Sequence, residues 1–202
     1  MTEQEAFWAG DFGHAYIQRN QAALYLPANL AFFSRVLSKT HAVNDVLELG
    51  ANIGANLMAI KQLRPDIQLS AVEINQQAYT QLMQLQIDAR HQSILSFKPE
   101  KKWDLVLIKG VLIHISPDNL AEVYDVMYQS SERYICIAEY YSPTPVEVPY
   151  RGHRNKLFKR DFAGEMMDKY PDLRLVDYGF YYHRDPVFPM DDMNWFLLEK
   201  RD

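Results

Sequence analysis

The sequence predicts an α/β fold in which a mostly parallel sheet carries helices on both faces and closes with an antiparallel edge pair. Three observations lead there. From Asp45 onward, short apolar runs alternate with segments of helical period, as expected of strands joined by crossover helices. The last two apolar runs have no helix between them, which suits an antiparallel pair. A glycine-bearing turn, Gly50 to Gly54, directly follows the first run.

Residues 1–26 are rich in aromatics, among them Phe7, Trp8, Phe12, Tyr16 and Tyr25. Leu30, Phe33 and Leu37 recur at helical spacing and predict a helix over Ala28–Ser38, with Pro27 in its first turn, where a missing N–H is harmless. Asp45–Leu49 reads as a buried strand. Asn56–Leu63 places Leu57, Ile60 and Leu63 on one helical face and stops at Pro65. Gln68–Glu73 is the second strand, and Asn75 can cap a helix over Gln76–Gln86. A short third strand is expected near Ala89. Trp103–Ile108 is the strongest strand. Ser116 and Pro117 predict the cap and first residue of a helix over Pro117–Ser130, and Arg133–Glu139 is the next buried strand. Ser142–Lys156 holds three prolines and no period, so it reads as a long loop of the kind that carries function. Arg160–Tyr170 reads as a helix ended by Pro171, and Leu173–Tyr182 and Asn194–Lys200 supply the edge pair.

The 202 residues are 48% hydrophobic and 23% charged, an ordinary globular composition sufficient for one core. A net charge of −5 argues against a partner held by phosphate neutralisation, so nucleic acid is not expected. The single cysteine, Cys136, excludes an internal disulfide and lies in the apolar run Tyr134–Ala138, where it reads as a small buried residue. Met1–Gly10 carries Glu3 and Glu5 without a basic start, and the best apolar run, Leu105–Ile115, is interrupted by Lys109 and His114. The expectation is a cytoplasmic protein with no membrane partner. The six histidines show no paired spacing with each other or with cysteine, and Asp118 alone makes no magnesium site, so no metal is expected.

The motif Val46-Leu-Glu-Leu-Gly-Ala-Asn-Ile-Gly54 runs a buried strand through a sharp turn into a helix. Gly50 suits the turn, and Gly54 suits close approach of backbone to a ligand. A dinucleotide fingerprint needs glycines at 50, 52 and 55, and Asn52 and Ala55 break it. No Gly-Lys-Ser/Thr follows, which excludes a P-loop. Glu48, Gly50, Asn52 and Gly54 fit an acidic residue followed by Gly-x-Gly-x-Gly with its middle glycine replaced. That pattern suits a zwitterionic amino-acid tail whose ammonium needs acceptors. Glu73, at the end of the second strand and about 20 residues past Gly54, can accept both ribose hydroxyl protons. Ser93 and Ile94 are placed to meet an adenine edge and face, although a turn residue and a core residue would look the same. Lys109 to His114 lies at the carboxyl end of the Trp103–Ile108 strand, beside the crevice where open α/β sheets bind ligands.

Glu48–Gly54, Glu73 and Asp104–His114 together resemble the class I S-adenosylmethionine-dependent methyltransferases. The resemblance implies a Rossmann-like seven-stranded sheet with S-adenosyl-L-methionine as cofactor. The opening Phe7-Trp8-Ala-Gly-Asp11-Phe12-Gly13, Tyr16, Arg19 and Asn20, with Glu139-Tyr140-Tyr141, Tyr150-Arg151-Gly152-His153, Leu157-Phe158 and Asp161-Phe162-Ala163, is similar to a bacterial clade of methylases associated with pseudaminic acid biosynthesis. This likeness implies a small polar or sugar-like acceptor, related to nonulosonic acids. Two other readings keep the cofactor: methylation of a protein side chain such as one on flagellin, and a cofactor-binding module without turnover.

The reading that follows is one methyltransferase domain over 1–202, with 1–40 a helical lid and 142–158 an acceptor-side loop. Tyr16 and Arg19 lie a helical turn apart, so Arg19 can hold the cofactor carboxylate while Tyr16 packs near the sulfonium. Glu139, His153 and His114 are the candidate bases. Tyr140 and Tyr141 can line the acceptor pocket, and Arg151, Arg154 and Lys156 can hold a carboxylate or phosphate on the acceptor. A solvated basic loop and packing tyrosines are the competing readings.

Overall fold

The computed structural model describes residues 1–19 and 22–201; Asn20, quoted above, lies outside the described residues. Three helices open the chain: α1 (Glu3–Ala9), α2 (Asp11–Arg19) and α3 (Ala22–Ser38). Then β1 (Asp45–Leu49), α4 (Ala55–Leu63), β2 (Gln68–Glu73), α5 (Gln76–Gln84) and β3 (Asp88–His91) build one half of the sheet. The other half is β4 (Trp103–Lys109), α6 (Leu120–Ser130) and β5 (Ser131–Glu139). A small pair, β6 (Val146–Glu147) and β7 (Phe158–Lys159), precedes α7 (Phe162–Lys169), β8 (Leu173–Tyr181) and β9 (Met193–Lys200).

The seven strands run in the order β3-β2-β1-β4-β5-β9-β8. All neighbours through β5 are parallel, and β9 pairs antiparallel with both β5 and β8. One core lies between the sheet and α3, α4 and α5, around Phe32, Phe33, Leu57 and Leu82. The other lies under α6 and α7, around Leu120, Val123, Met127 and Met166. Strand order reverses between β1 and β4, which opens a crevice at their carboxyl ends.

Several local expectations shift. The third helix starts at Ala22 and runs through Pro27 instead of starting beside it. An interior proline costs about 3 kcal/mol. Fully burying Phe32, Phe33 and Val36, each 0% exposed, offsets this at roughly 1.5–3 kcal/mol per side chain. Ser116 makes no side-chain cap, and Pro117–Asn119 form a 3₁₀ turn before α6 begins at Leu120. α7 begins at Phe162, not Arg160, because the Asp161 side chain caps it by accepting from the Gly164 N–H at 2.9 Å. The proline-rich loop contains β6, which pairs antiparallel with β7.

Candidate active site

The crevice holds a cavity of about 500 Å³, a size suited to a nucleoside cofactor. Its floor is the glycine turn. Gly50 and Asn52 have φ of 78° and 47°, the left-handed region that glycine enters freely and asparagine tolerates, so Asn52 takes the place of the middle glycine without breaking the turn. A Cβ on Gly50 would lie 2.6 Å from Val111 Cγ2, so the missing side chain also lets the β4 loop close on the β1 turn. Gly54 (φ 79°) has a different job from the expected one. It is absent from the cavity wall, and a Cβ there would stand 2.9 Å from both Leu82 Cδ2 and Leu85 Cδ1, so it admits α5 instead of a ligand.

Glu73 ties the site together. Its Oε2 accepts the Asn52 N–H and its Oε1 the Asn75 N–H, both at 2.7 Å. Burial raises its pKa while these amide bonds oppose the rise. A carboxylate has acceptor capacity beyond these bonds, and Glu73 lines the cavity. Asn75 in turn caps α5, accepting from Gln77 and Ala78, and donates to the Trp8 carbonyl at 3.0 Å. One chain of hydrogen bonds thus links the glycine turn, the tip of β2, α5 and the N-terminal helices.

Those helices form the roof. Trp8 packs on Phe12, Tyr16, His114 and Tyr150, the closest ring centroid being that of His114 at 4.6 Å. Lys156 is a tether for this roof and not an acceptor anchor: its buried ammonium contacts Glu3 Oε1 at 2.6 Å, beneath the Phe7 ring. Ser93 caps the turn Ile94–Ser96, and both Ser93 and Ile94 line the wall. Tyr16, Arg19, Lys109, His114, Tyr140 and Arg151 also reach the cavity.

Besides Lys156, six sequence candidates do not. Gly54 is one. Glu48 is fully buried behind the turn, where its Oε1 accepts from Asn56 Nδ2 at 2.6 Å and burial lifts its pKa to about 8. Glu139, expected as a base, instead shapes the loop after β4: Oε1 accepts from Val111 at 2.9 Å and Leu112 at 2.8 Å, with Ile113 3.5 Å from Oε2. Burial raises its pKa to about 7. His153 is exposed and its ring packs outside the roof against Phe7 and Phe12. Arg154 is exposed away from the wall, and Tyr141 lies near Phe196, outside the cavity.

Of the expected bases, His114 alone stays in the wall. Its Nδ1 meets the Lys156 carbonyl at 2.6 Å, so Nδ1 carries the proton and Nε2 the lone pair. Burial lowers its pKa to about 4 and keeps the ring neutral. The Lys109 ammonium is likewise pushed down by burial, against the pull of Glu48, Asp191 and Glu139.

The sequence reading missed Asn29 and Asp191. Asp191 lies at the mouth and accepts from the Tyr140 hydroxyl at 3.2 Å. Asn29 carried a readable signal, since it is a polar residue within the apolar run Leu26–Phe33. The described residues hold no cluster that could bind a metal, and no described helix is long and apolar enough to cross a membrane.

This sheet order, antiparallel edge pair and crevice define a Rossmann-like methyltransferase fold. The magnesium protoporphyrin IX methyltransferase of Synechocystis, solved with bound S-adenosylmethionine, superposes with a TM-score of 0.68 at 11% identity, over 100% of this chain and 99% of that one. The glycopeptide N-methyltransferase MtfA, complexed with the same cofactor, gives 0.65 at 12% identity, over 86% and 87%. The plantazolicin methyltransferase BpumL, in complex with S-adenosylhomocysteine and a pentazolic analogue, gives 0.66 at 14% identity, over 98% and 95%. No family model and no curated protein sequence matches the chain.

Proposed function

We propose that the chain is an S-adenosylmethionine-dependent methyltransferase acting on a small polar acceptor. The observation that carries this is the Glu73 carboxylate, bonded to the Asn52 amide of the glycine turn at 2.7 Å and facing the crevice cavity. The turn lacks the dinucleotide fingerprint, with Asn52 and Ala55 where glycines are needed, and the buried polar groups around it suit a nucleoside with an amino-acid tail. The bound cofactor would supply an electrophilic methyl group on a sulfonium leaving group.

The protein's part is then mainly alignment, which can contribute several powers of ten in rate. Glu73 takes the ribose hydroxyls, and Ser93 and Ile94 take the adenine edge and face. Arg19, on the exposed end of α2 and 5.6 Å over the Phe12 ring, holds the carboxylate. Tyr16 presents an aromatic face toward the reaction centre. The roof of α1 and α2 excludes water from the centre.

On the acceptor side, Tyr140 and Asp191 offer a hydroxyl and carboxylate pair, and Arg151 offers a cation at the rim. A polyhydroxylated acid of the nonulosonic type fits that set, with hydroxyls for Asp191 and a carboxylate for Arg151. His114 Nε2 is the candidate proton acceptor. With its lowered pKa it is a weak base, suited to receiving the proton only as the acceptor oxygen gains its bond to carbon.

Calorimetry with S-adenosylmethionine, S-adenosylhomocysteine and NAD tests the cofactor. The expectation is binding of the first two and none of the third; the reverse would reject the assignment. Mass spectrometry of nonulosonic acids incubated with enzyme and cofactor tests the acceptor by a gain of one methyl group.

A further inference from the structure

Asn29 has no role in the chemistry above, yet its setting calls for one. It lies on α3, is 1% exposed, and belongs to the cavity wall together with Gly50, Lys109 and Met193. Its Oδ1 is enclosed and has no hydrogen-bond partner among the described residues. An enclosed acceptor without a donor costs about as much as a broken hydrogen bond, so such groups persist where something else completes them.

A second unsatisfied acceptor lies on the same side of the sheet. Glu48 shares a strand face with Val46, which packs in the core beneath α3. Its Oε1 is taken by Asn56, and its Oε2 is buried with no hydrogen-bond partner among the described residues. Lys109 contributes charge nearby but makes no hydrogen bond to either residue among the described ones. An unpaired acceptor in the cavity wall on the α3 side of the glycine turn, with the Glu48 carboxyl enclosed behind it, favours a ligand group rich in N–H donors. An adenine offers two N–H donors and a ribose none, whereas an α-ammonium offers three.

We propose that Asn29 is a cofactor-reading residue whose side-chain oxygen accepts from the ammonium of the amino-acid tail, with the enclosed Glu48 carboxyl behind the turn. The inference rests on the cofactor assignment made above. It makes α3 a wall of the tail subsite as well as a cover for the core. It also explains why a polar residue interrupts the apolar face that carries Phe32 and Phe33.

The test compares two ligands that share the thioadenosine but differ in the tail: S-adenosylhomocysteine, which has it, and methylthioadenosine, which lacks it. Calorimetry is run on the full chain and on Asn29→Leu and Asn29→Ala. Both variants should bind S-adenosylhomocysteine about tenfold more weakly or worse, the loss of one buried hydrogen bond to a charged group. Methylthioadenosine affinity should change by less than about twofold, because the removed contact is one it never makes. Ligand-free Asn29→Leu should melt no lower than the wild type, since an unsatisfied polar group has been replaced by an apolar one of similar size. Unchanged S-adenosylhomocysteine affinity, or an equal loss for both ligands, would overturn the assignment of Asn29 and leave the cofactor assignment standing. A wild-type protein that binds neither ligand would overturn both.

Discussion

Replacing Glu73 with glutamine keeps the size of the side chain and removes its charge. The carboxylate accepts two backbone amides, from half-buried Asn52 and buried Asn75, each at 2.7 Å. An amide side chain has one oxygen, so one of these N–H groups must face an NH₂. A buried hydrogen bond to a charged group is worth about 1.5–3 kcal/mol. Part of that returns, because burial penalises the Glu73 charge and raises its pKa, and the neutral amide escapes the penalty. The net loss of stability should be about 1–3 kcal/mol. Cofactor affinity should fall by a similar amount, roughly 10- to 100-fold, since the same change disturbs the turn and removes the proposed ribose acceptor. Urea denaturation reads the first quantity, and calorimetry with S-adenosylhomocysteine reads the second. A Glu73→Gln variant with wild-type stability and wild-type affinity would refute the idea that this carboxylate organises the site.

His114 should make the protein acid-sensitive. Its folded pKa, about 4, lies below the ordinary histidine value of 6.5, so the unfolded chain binds the extra proton between them; the stability contributed is present above pH 6.5 and is lost as pH falls toward 4. The difference should approach about 3 kcal/mol and should vanish in His114→Phe; denaturation series of both proteins between those pH values check it. Gly54→Ala should destabilise by about 1–3 kcal/mol, through left-handed backbone strain and the collision with Leu82 and Leu85, while cofactor affinity measured on the folded fraction holds. Gly13→Ala would put a Cβ 1.9 Å from the Trp8 carbonyl oxygen. Hydrogen exchange over α1 and α2 should accelerate while the sheet stays protected, and uniform protection would show that the roof does not depend on that contact.

The alternation of strands and helices was legible because each element announces itself locally. Apolar runs ended by Gly50 or Pro65, the Asn75 cap and the unlinked edge pair all depend on neighbours a few residues away. The glycine turn and Glu73 were legible for the same reason: one needs positive φ at fixed positions, and the other falls at a strand tip whose parallel neighbour ends beside it. Which side chains face the cavity is a different kind of fact. Glu48 and Glu139 both stand beside the ligand end of the sheet in sequence, yet the Asn56 side chain and the amides of residues 111–113 draw them away from the cavity. His153 follows Tyr150 closely but is held outside by Phe7, which is more than a hundred positions away. Asn29 and Asp191 line the same cavity from opposite ends of the chain. Backbone preference is set by adjacent residues and can be read along the chain. Membership of a cavity depends on which distant surfaces pack against each other, and only the tertiary structure decides that.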